Sequence, residues 1–331
     1  MYLKETTLDD ILRRVISKLL KSKNRINPTR GEATELTGVL LQITNPRARL
    51  SRTETKGTLF SCLGELLWYL AKTNDLAFIK YYLQDYERNS DDGQTIHGGY
   101  GPRMFKMKGR HNQVGNVITL LRRKPDSRQA IIQLFDASDI AEEHKDVPCT
   151  CTLQFMIRNR CLHMFTSMRS NDAFLGLPHD IFAFTMLQEI MARTLCVELG
   201  IYKHYVGSLH LYEKHRNSAR QFLDEGWQET VPMPAMPITD PWPRLRVLLT
   251  AEAAIREGKK IHIRDLNLHD YWKDLARLLQ IFRYFKNTES KKIAQVRRSM
   301  STRVYDPYIE QKRKTAHKQA KQENPVQPRL I

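Results

Sequence analysis

Cys149 follows Pro148 directly and opens a strand-like run, TCTLQFMIR. A cysteine so placed is either an inert core residue, the commoner case, or a nucleophile. Nucleophilic chemistry needs the thiolate, and a thiolate needs a nearby cation. Arg169 can supply one. Asn159-Arg160 reads as a tight turn between strands at 150–159 and 161–168, and such a hairpin lays MFTSMRS beside the cysteine's strand. By the two-residue strand repeat, Cys151 would share the face of Cys149. Beyond the hairpin, RSNDAFLGLPHD leads into a helix over 178–197 that starts near Pro178.

Four other places carry candidate chemistry. Glu65 sits inside the apolar helical run TLFSCLGELLWYLAK. A carboxylate there is costly unless it is paired or used, so it is either an arginine's partner or a catalytic acid. Arg30, in NRINPTRGEATELTG, is a candidate phosphate ligand or part of a plain surface turn. Arg128, in PDSRQ, faces a phosphate or is simply exposed. His210, Tyr212 and His215 crowd HYVGSLHLYEKH, but without Cys or Asp at ligand spacing they do not suggest a metal.

The elements that must position these groups alternate. Residues 7–23 read as a helix capped by Thr7, with Ile11, Leu12, Val15, Ile16, Leu19 and Leu20 on one stripe. The strand-like VLLQI follows. Residues 85–110, rich in Gly and polar side chains, read as a long loop. Then come a helix at 113–124, strand AIIQLF, the hairpin, the 178–197 helix, and HYVGSLHLYEKH as a strand leading into a helix. WPRLRVLL reads as a late strand, and 266–286 as an amphipathic helix. The alternation predicts an α/β (α+β) catalytic domain over 1–265, followed by a C-terminal helix and basic tail over 266–331.

Composition narrows the partners. The 331 residues carry a formal net charge of +17, much of it near the C-terminus, with RR at 297–298 and KRK at 312–314. Such a surplus attracts nucleotides, phosphates or nucleic acid, although a solvated basic tail is the plainer reading. No run reaches the ~18 apolar residues a bilayer span needs, and MYLKETTLDDILRR lacks the apolar core of a signal peptide. Five scattered cysteines argue against a disulfide framework. A cytoplasmic protein with no membrane partner is expected.

Taken together, the motifs resemble thymidylate synthase. They are PC with QF (Pro148, Cys149, Gln154, Phe155), RSNDAFLGLP (Arg169 to Pro178), LHLYEKH (Leu209 to His215), GELLWYL around Glu65, GGYGPR around Tyr100 and PDSR at 125–128. They occur in the family's order over roughly residues 30 to 250. The resemblance implies a large mixed β-sheet with flanking helices, and a homodimer packed sheet to sheet. It implies that Cys149 adds to C6 of a pyrimidine nucleoside monophosphate, so that C5 attacks the one-carbon unit of 5,10-methylenetetrahydrofolate. Glu65 matches the family's general acid/base and Tyr100 its proton-transfer tyrosine. Arg30, Arg169 and Ser170 match phosphate ligands, and Arg128 an arginine that reaches the neighbouring subunit's phosphate. His210 and Tyr212 match the pair on the sugar 3′-hydroxyl. Asp172 and Gly176 match positions near the pyrimidine and folate.

The departures sharpen the expectation. Where the family reads uracil with an asparagine in LPFNI, this sequence has LPHDI, with Asp180 in its place. An amide matches uracil's N3–H and O4; a carboxyl sharing one proton with N3 matches cytosine's N3 and amino group. Asp180 therefore points to a cytidylate, dCMP or CMP, as in the related cytidylate hydroxymethylases; a helix cap is the structural alternative. Tyr86 aligns loosely with the family's tryptophan at the folate, and His179 replaces a phenylalanine that packs on it. That more polar wall favours water capture, hence 5-hydroxymethylation over methylation. Thr150 replaces a histidine, Gln129 a second phosphate arginine, and Ser208 an aspartate near the sugar, leaving ribose or deoxyribose open. C5 methylation of the same base, uridylate methylation, and a synthase-like dimer whose basic tail binds nucleic acid are the competing expectations.

Overall fold

The computed structural model describes the backbone of residues 1–323 and the side chains of residues 1–315; NPVQPRLI at the end of the basic run lies outside the described residues. The chain divides into two compact units, Met1–Pro243 and Arg244–Ile331. In the first, β1 (Tyr2–Glu5), α1 (Leu8–Lys21), β2 (Arg25–Ile26) and β3 (Ala33–Ile43) precede three helices, α2 (Leu59–Leu70), α3 (Leu76–Tyr82) and α4 (Tyr100–Lys106). Then follow α5 (Gln113–Arg123), β4 (Ile131–Gln133), β5 (Thr150–Arg158), β6 (Cys161–Asp172), α6 (Gly176–Thr194), β7 (Glu198–Tyr212) and α7 (Arg216–Asp224).

The strands form one mixed sheet in the order β1-β3-β7-β6-β5-β4, with β2 on β3. The α/β expectation with flanking helices holds. One face is apolar and covered: Leu153, Phe155, Leu162, Met164, Tyr202, Val206, Val39 and Leu41 are buried on it. The tight turn joining β5 and β6 is built as the sequence suggests. Asn159 and Arg160 have φ of 50° and 59°, the paired left-handed conformation that matches the twist of a two-residue hairpin. Helix α1 begins where expected, the amide of Asp10 donating to Thr7 Oγ1 at 3.1 Å.

Helices α2 and α6 are buried nearly all round, so their positions are set by packing rather than by one amphipathic stripe. Within α6, Glu189 is fully buried and pairs with the equally buried Arg49, while its Oε1 accepts from the amide of Met236 at 3.0 Å. One carboxylate thus ties the loop after β3 and the segment after α7 to the central helix.

Two expectations are corrected. Residues 242–249 are not a strand but the start of α8 (Trp242–Arg256). Leu245, Leu248, Ala251, Glu252 and Ile255 are its buried positions, a three-and-four spacing that the short VLL run conceals. The 85–110 stretch is not one loop, because α4 lies inside it. Helices α8, α9 (Asp270–Lys286), α10 (Ser290–Arg298) and α11 (Asp306–Glu323) make the second unit, so the C-terminal extension is helical as expected. Its basic residues are not all solvated. Lys312 Nζ sits 5.6 Å from the centroid of the Phe282 ring, and Arg297 pairs with Asp306 at 2.9 Å. The buried Asp274 accepts from Arg277 at 2.7 Å and from the Ser301 hydroxyl at 2.5 Å. No helix among the described residues is long and apolar enough to cross a membrane.

Glu189→Gln should leave the Arg49 guanidinium buried without its counter-charge and cost about 3–5 kcal/mol, read as a lowered urea midpoint; a loss under ~1 kcal/mol would contradict the anchoring role.

Candidate active site

Cys149 lies just ahead of β5, half-buried, and its carbonyl accepts from the amide of Arg169 at 2.9 Å. The side chain of Arg169 reaches back over the same turn, donating to the carbonyls of Pro148 (3.0 Å) and Val147 (2.8 Å). The hairpin therefore delivers the cation to the cysteine, as its sequence suggested. Burial pushes the Cys149 thiol up to about 11; Arg169 and Arg30 pull it down, and Asp146 and Asp180 push it further up. The free protein holds a thiol that its neighbouring cations bias toward thiolate. The expected common face of Cys149 and Cys151 is not secured, because a bulge between Thr150 and Thr152 breaks the two-residue alternation there.

Glu65, on α2, is buried, and its partners are phenols rather than an arginine. Tyr69, one helical turn on, donates to Oε1 at 3.0 Å, and Tyr86 donates to the same oxygen. Tyr86 also meets Trp68 edge-on, with centroids 5.7 Å apart. Tyr100 opens α4; its hydroxyl accepts from the amide of Thr150 at 3.1 Å, one residue past the cysteine. Its ring lies 5.1 Å from that of Tyr69. Burial, then the charges of Asp180 and Cys149, raise the Tyr100 hydroxyl well above the usual phenol range.

Asp180 is the fifth residue of α6, just past its first turn. Burial first, and Glu65 second, push its carboxyl well above the ordinary carboxylate range, against the pull of His179 and a hydrogen bond from Asn171. Such a setting favours the protonated form of the carboxyl. It does not cap the helix it stands on: Asp172 lies at that turn, its Oδ1 accepting from the amides of Phe174 (2.8 Å) and Leu175 (3.0 Å). Gly176 passes so close to Asn171 that an added Cβ would lie 2.8 Å from its Oδ1. His179 turns toward α2, its Nε2 2.9 Å from Ser61 Oγ and its Nδ1 3.0 Å from the Leu175 carbonyl. Burial pulls His179 down, but Cys62, Glu65 and that carbonyl outweigh it and hold the imidazole up at about 9.

The nucleotide-side candidates gather at the ends of β6 and β7. Asp172 pairs in register with His210, and Ser170 with Ser208. His210 Nδ1 is buried without a hydrogen-bond partner among the described residues, and its ring meets Tyr212 edge-on at 4.9 Å. Ser208 donates to Glu35 across the sheet. Arg30 is exposed, held to Asn89 at 2.8 Å, and its charge is felt at Cys149, His210 and Tyr212. Arg128 is the exception. It sits on the exposed turn before β4, where its carbonyl accepts from Gln154 at 2.9 Å, and it joins none of these groups.

Several members of the cluster were not singled out from sequence. Tyr69 was signalled by its one-turn spacing from Glu65. Asp146 precedes Val147-Pro148-Cys149; burial raises its carboxyl while Arg30, Arg103 and Arg169 pull it down. Lys56 is buried with Nζ 3.9 Å from the Phe174 ring centroid, burial pulling it down to about 8 against Asp172 and Cys62. Asn171 and the buried His204 meet behind Asp180, and no local signal marks either.

Sequence comparison places the same residues in a known context. The thymidylate synthase family model matches residues 6–276. The deoxyuridylate hydroxymethyltransferase of Delftia phage PhiW-14 is 30% identical over 207 residues, covering 58% of this chain and 57% of the relative. Its namesake from Pseudomonas phage M6 is 32% identical over 170 residues, covering 50% and 48%, and that of Bacillus phage SP01 is 29% identical over 211 residues, covering 60% and 55%. The chain thus spans about half the length of these relatives. Because the family match runs from α1 well into α9 and takes in every element that carries the Cys149–Glu65–Asp180 cluster, the chain belongs to the thymidylate synthase family.

Proposed function

We propose that this protein transfers a one-carbon unit from methylenetetrahydrofolate to C5 of a pyrimidine nucleoside monophosphate, a cytidylate, and that water completes the reaction to give the 5-hydroxymethyl base. The observation that carries the reading is Asp180: a carboxyl that burial pushes toward its neutral form, beside Tyr100 and within electrostatic reach of Cys149.

Arg30, Arg169 and Ser170 hold the phosphate, and the unpartnered Nδ1 of His210 with Tyr212 meets the sugar. The Cys149 sulfur adds to C6. Electron density then moves to N3 of cytosine, and the Asp180 proton neutralises it there while the other carboxyl oxygen accepts from the 4-amino group. C5 is left nucleophilic. Tyr100 lies against the cysteine's strand, where its hydroxyl can pass the C5 proton on to water after the new carbon bond forms, and Glu65 with its two phenols holds the protons that elimination of Cys149 requires.

Residues beside Asp172 fit the folate: its Oδ2 has no hydrogen-bond partner among the described residues, and Leu175 is an exposed apolar side chain next to it. An acceptor at the rim of an apolar surface suits a flat heterocycle with N–H donors. Asp172, Gly176 and Leu175 would hold the cofactor, which supplies carbon at the oxidation level of formaldehyde. His179 and Tyr86, both engaged on α2, make that wall polar and favour water as the final nucleophile.

Uridylate is the second reading, favoured by the names of the phage relatives. A homodimer is part of the proposal. The sheet's second face exposes Ile131 and Tyr205 beside the half-buried Met156 and Phe165, a surface suited to a second copy, and Arg128 on its outlying turn would reach the neighbour's phosphate.

Incubation with methylenetetrahydrofolate and each of CMP, dCMP, UMP and dUMP, with products weighed by mass spectrometry, tests the reading. A cytidylate gaining hydroxymethyl is expected; a methyl product with dihydrofolate, or turnover of uridylate alone, contradicts it. Cys149→Ala should abolish turnover with circular dichroism unchanged, and residual normal turnover would move the nucleophile elsewhere. Asp180→Asn should shift preference toward the uridylate by several powers of ten in the ratio of kcat/KM, and an unchanged preference would end this account of base reading. Alkylation of Cys149 by iodoacetamide in the free enzyme should rise about tenfold per pH unit below its pKa. Because Arg169 pulls that pKa down, Arg169→Ala should slow the reaction at pH 8; a faster reaction would contradict it.

A further inference from the structure

The basic surplus is not spread evenly. Arg244–Ile331, the second unit, holds 21 of the chain's 53 lysines and arginines and only 9 of its 36 acids. It therefore carries a formal +12 of the total +17. Most of this unit lies past residue 276, where the family match ends, so the surplus falls largely outside the stretch that carries the nucleotide chemistry.

The acids of the unit are largely engaged already. Glu252 pairs with Arg256, Asp274 with Arg277, Glu289 with Lys292, and Asp306 with Arg297. Other cations converge on the C-terminal end of α9. Arg283 donates to the carbonyls of Gly258 (2.8 Å) and Lys259 (3.2 Å), which draws the turn carrying Lys260 to that end. Lys286, on α9 itself, and Lys312, from α11, share the Phe282 ring, with Nζ 5.8 and 5.6 Å from its centroid. Burial pulls the Lys286 ammonium down, and Lys312 adds to the pull. Helix α10 follows after a short turn and exposes Lys291 and Arg298. Seven residues apart, these two lie on one side of the helix, about 10 Å from each other along its axis. The dipole of α9 favours a cation in its own last turn, but it does not bring in cations from three other segments.

The kind of anion follows from what surrounds these charges. Among the described residues of the unit no large apolar side chain is exposed; Phe285, Ile293, Met300, Tyr305 and Tyr308 are all buried. A helix lying on a lipid surface needs an apolar side. A protein interface is centred on apolar and aromatic anchors. A single-strand groove needs exposed rings on which bases stack. A duplex backbone asks for cations alone. One strand presents a phosphate about every 3.4 Å along the axis, so the separation of Lys291 and Arg298 spans about three.

We propose that the helical unit binds the phosphate backbone of double-stranded nucleic acid, without reading its sequence, through Lys260, Lys286, Lys291, Arg298 and Lys312. Such binding releases condensed counterions, so it weakens steeply as salt rises.

The test is fluorescence anisotropy of the full chain with a short labelled DNA duplex, the matching RNA duplex and one single strand, titrated between about 50 and 200 mM NaCl. Binding of a duplex is expected, and the two duplex arms show which polymer is preferred. Lys291→Gln combined with Arg298→Gln should flatten the slope of log affinity against log salt by about 1.8, near 0.9 for each lost phosphate contact. Lys18→Gln combined with Lys23→Gln removes the same charge from exposed positions of the first unit and should leave the slope unchanged. Equal flattening in the two double variants would mean that overall charge alone is at work, and overturns the proposal. So would the absence of duplex binding, tighter binding of the single strand than of either duplex, or binding to phosphatidylserine vesicles without binding to duplex.

Discussion

Two carboxyls are buried within electrostatic reach of each other, Glu65 on α2 and Asp180 on α6, and much of the site is arranged around keeping both there. Like charges in a low-dielectric pocket cannot both ionise cheaply. Glu65 receives two phenolic donors on one oxygen, which suits an acceptor. Asp180 receives one amide donor and bears the repulsion, so its carboxyl is driven toward the neutral form. In the proposed reaction Asp180 supplies a proton to the base, and Glu65 handles protons through its hydroxyl partners.

The scaffold makes this pairing affordable. Helices α2 and α6 are apolar nearly all round and packed into the core, so they hold their few polar side chains in fixed places. The β5–β6 hairpin, closed by two left-handed residues, puts Arg169 back over the turn that carries Cys149. The parallel pairing of β6 with β7 sets Asp172 beside His210 and Ser170 beside Ser208. Arg169, Ser170, His210, Tyr212 and Asp180 are thus placed by strand ends or a buried helix, which lose less precision than a free loop, whereas Arg30 and Arg128 sit on exposed turns.

Much of this was legible in the chain itself. The Asn159-Arg160 turn and the Thr7 cap are local signals and appear where they were read. The cation beside Cys149 was legible because hairpin geometry carries it. The misreadings have physical causes. WPRLRVLL contains three apolar residues in a row, and a window that short cannot separate a strand from one side of a helix. Helix α4 was hidden because Gly and Pro at its start are loop formers by propensity, whereas tertiary packing decides its state. Shared faces across a bulge, as for Cys149 and Cys151, cannot be read from alternation at all. Asn171, His204 and Asp146 escaped for another reason: their meaning lies in what stands behind or beside them in space, and a single sequence does not give that.

Base recognition in this site depends on the protonation of one side chain, Asp180. Infrared difference spectroscopy of protein labelled with carbon-13 aspartate, comparing the parent with Asp180→Asn at pH 7, reads it directly. A protonated-carboxyl band that disappears in the variant is the result expected; a parent spectrum in which Asp180 contributes only carboxylate bands would contradict the neutral acid on which base recognition is built.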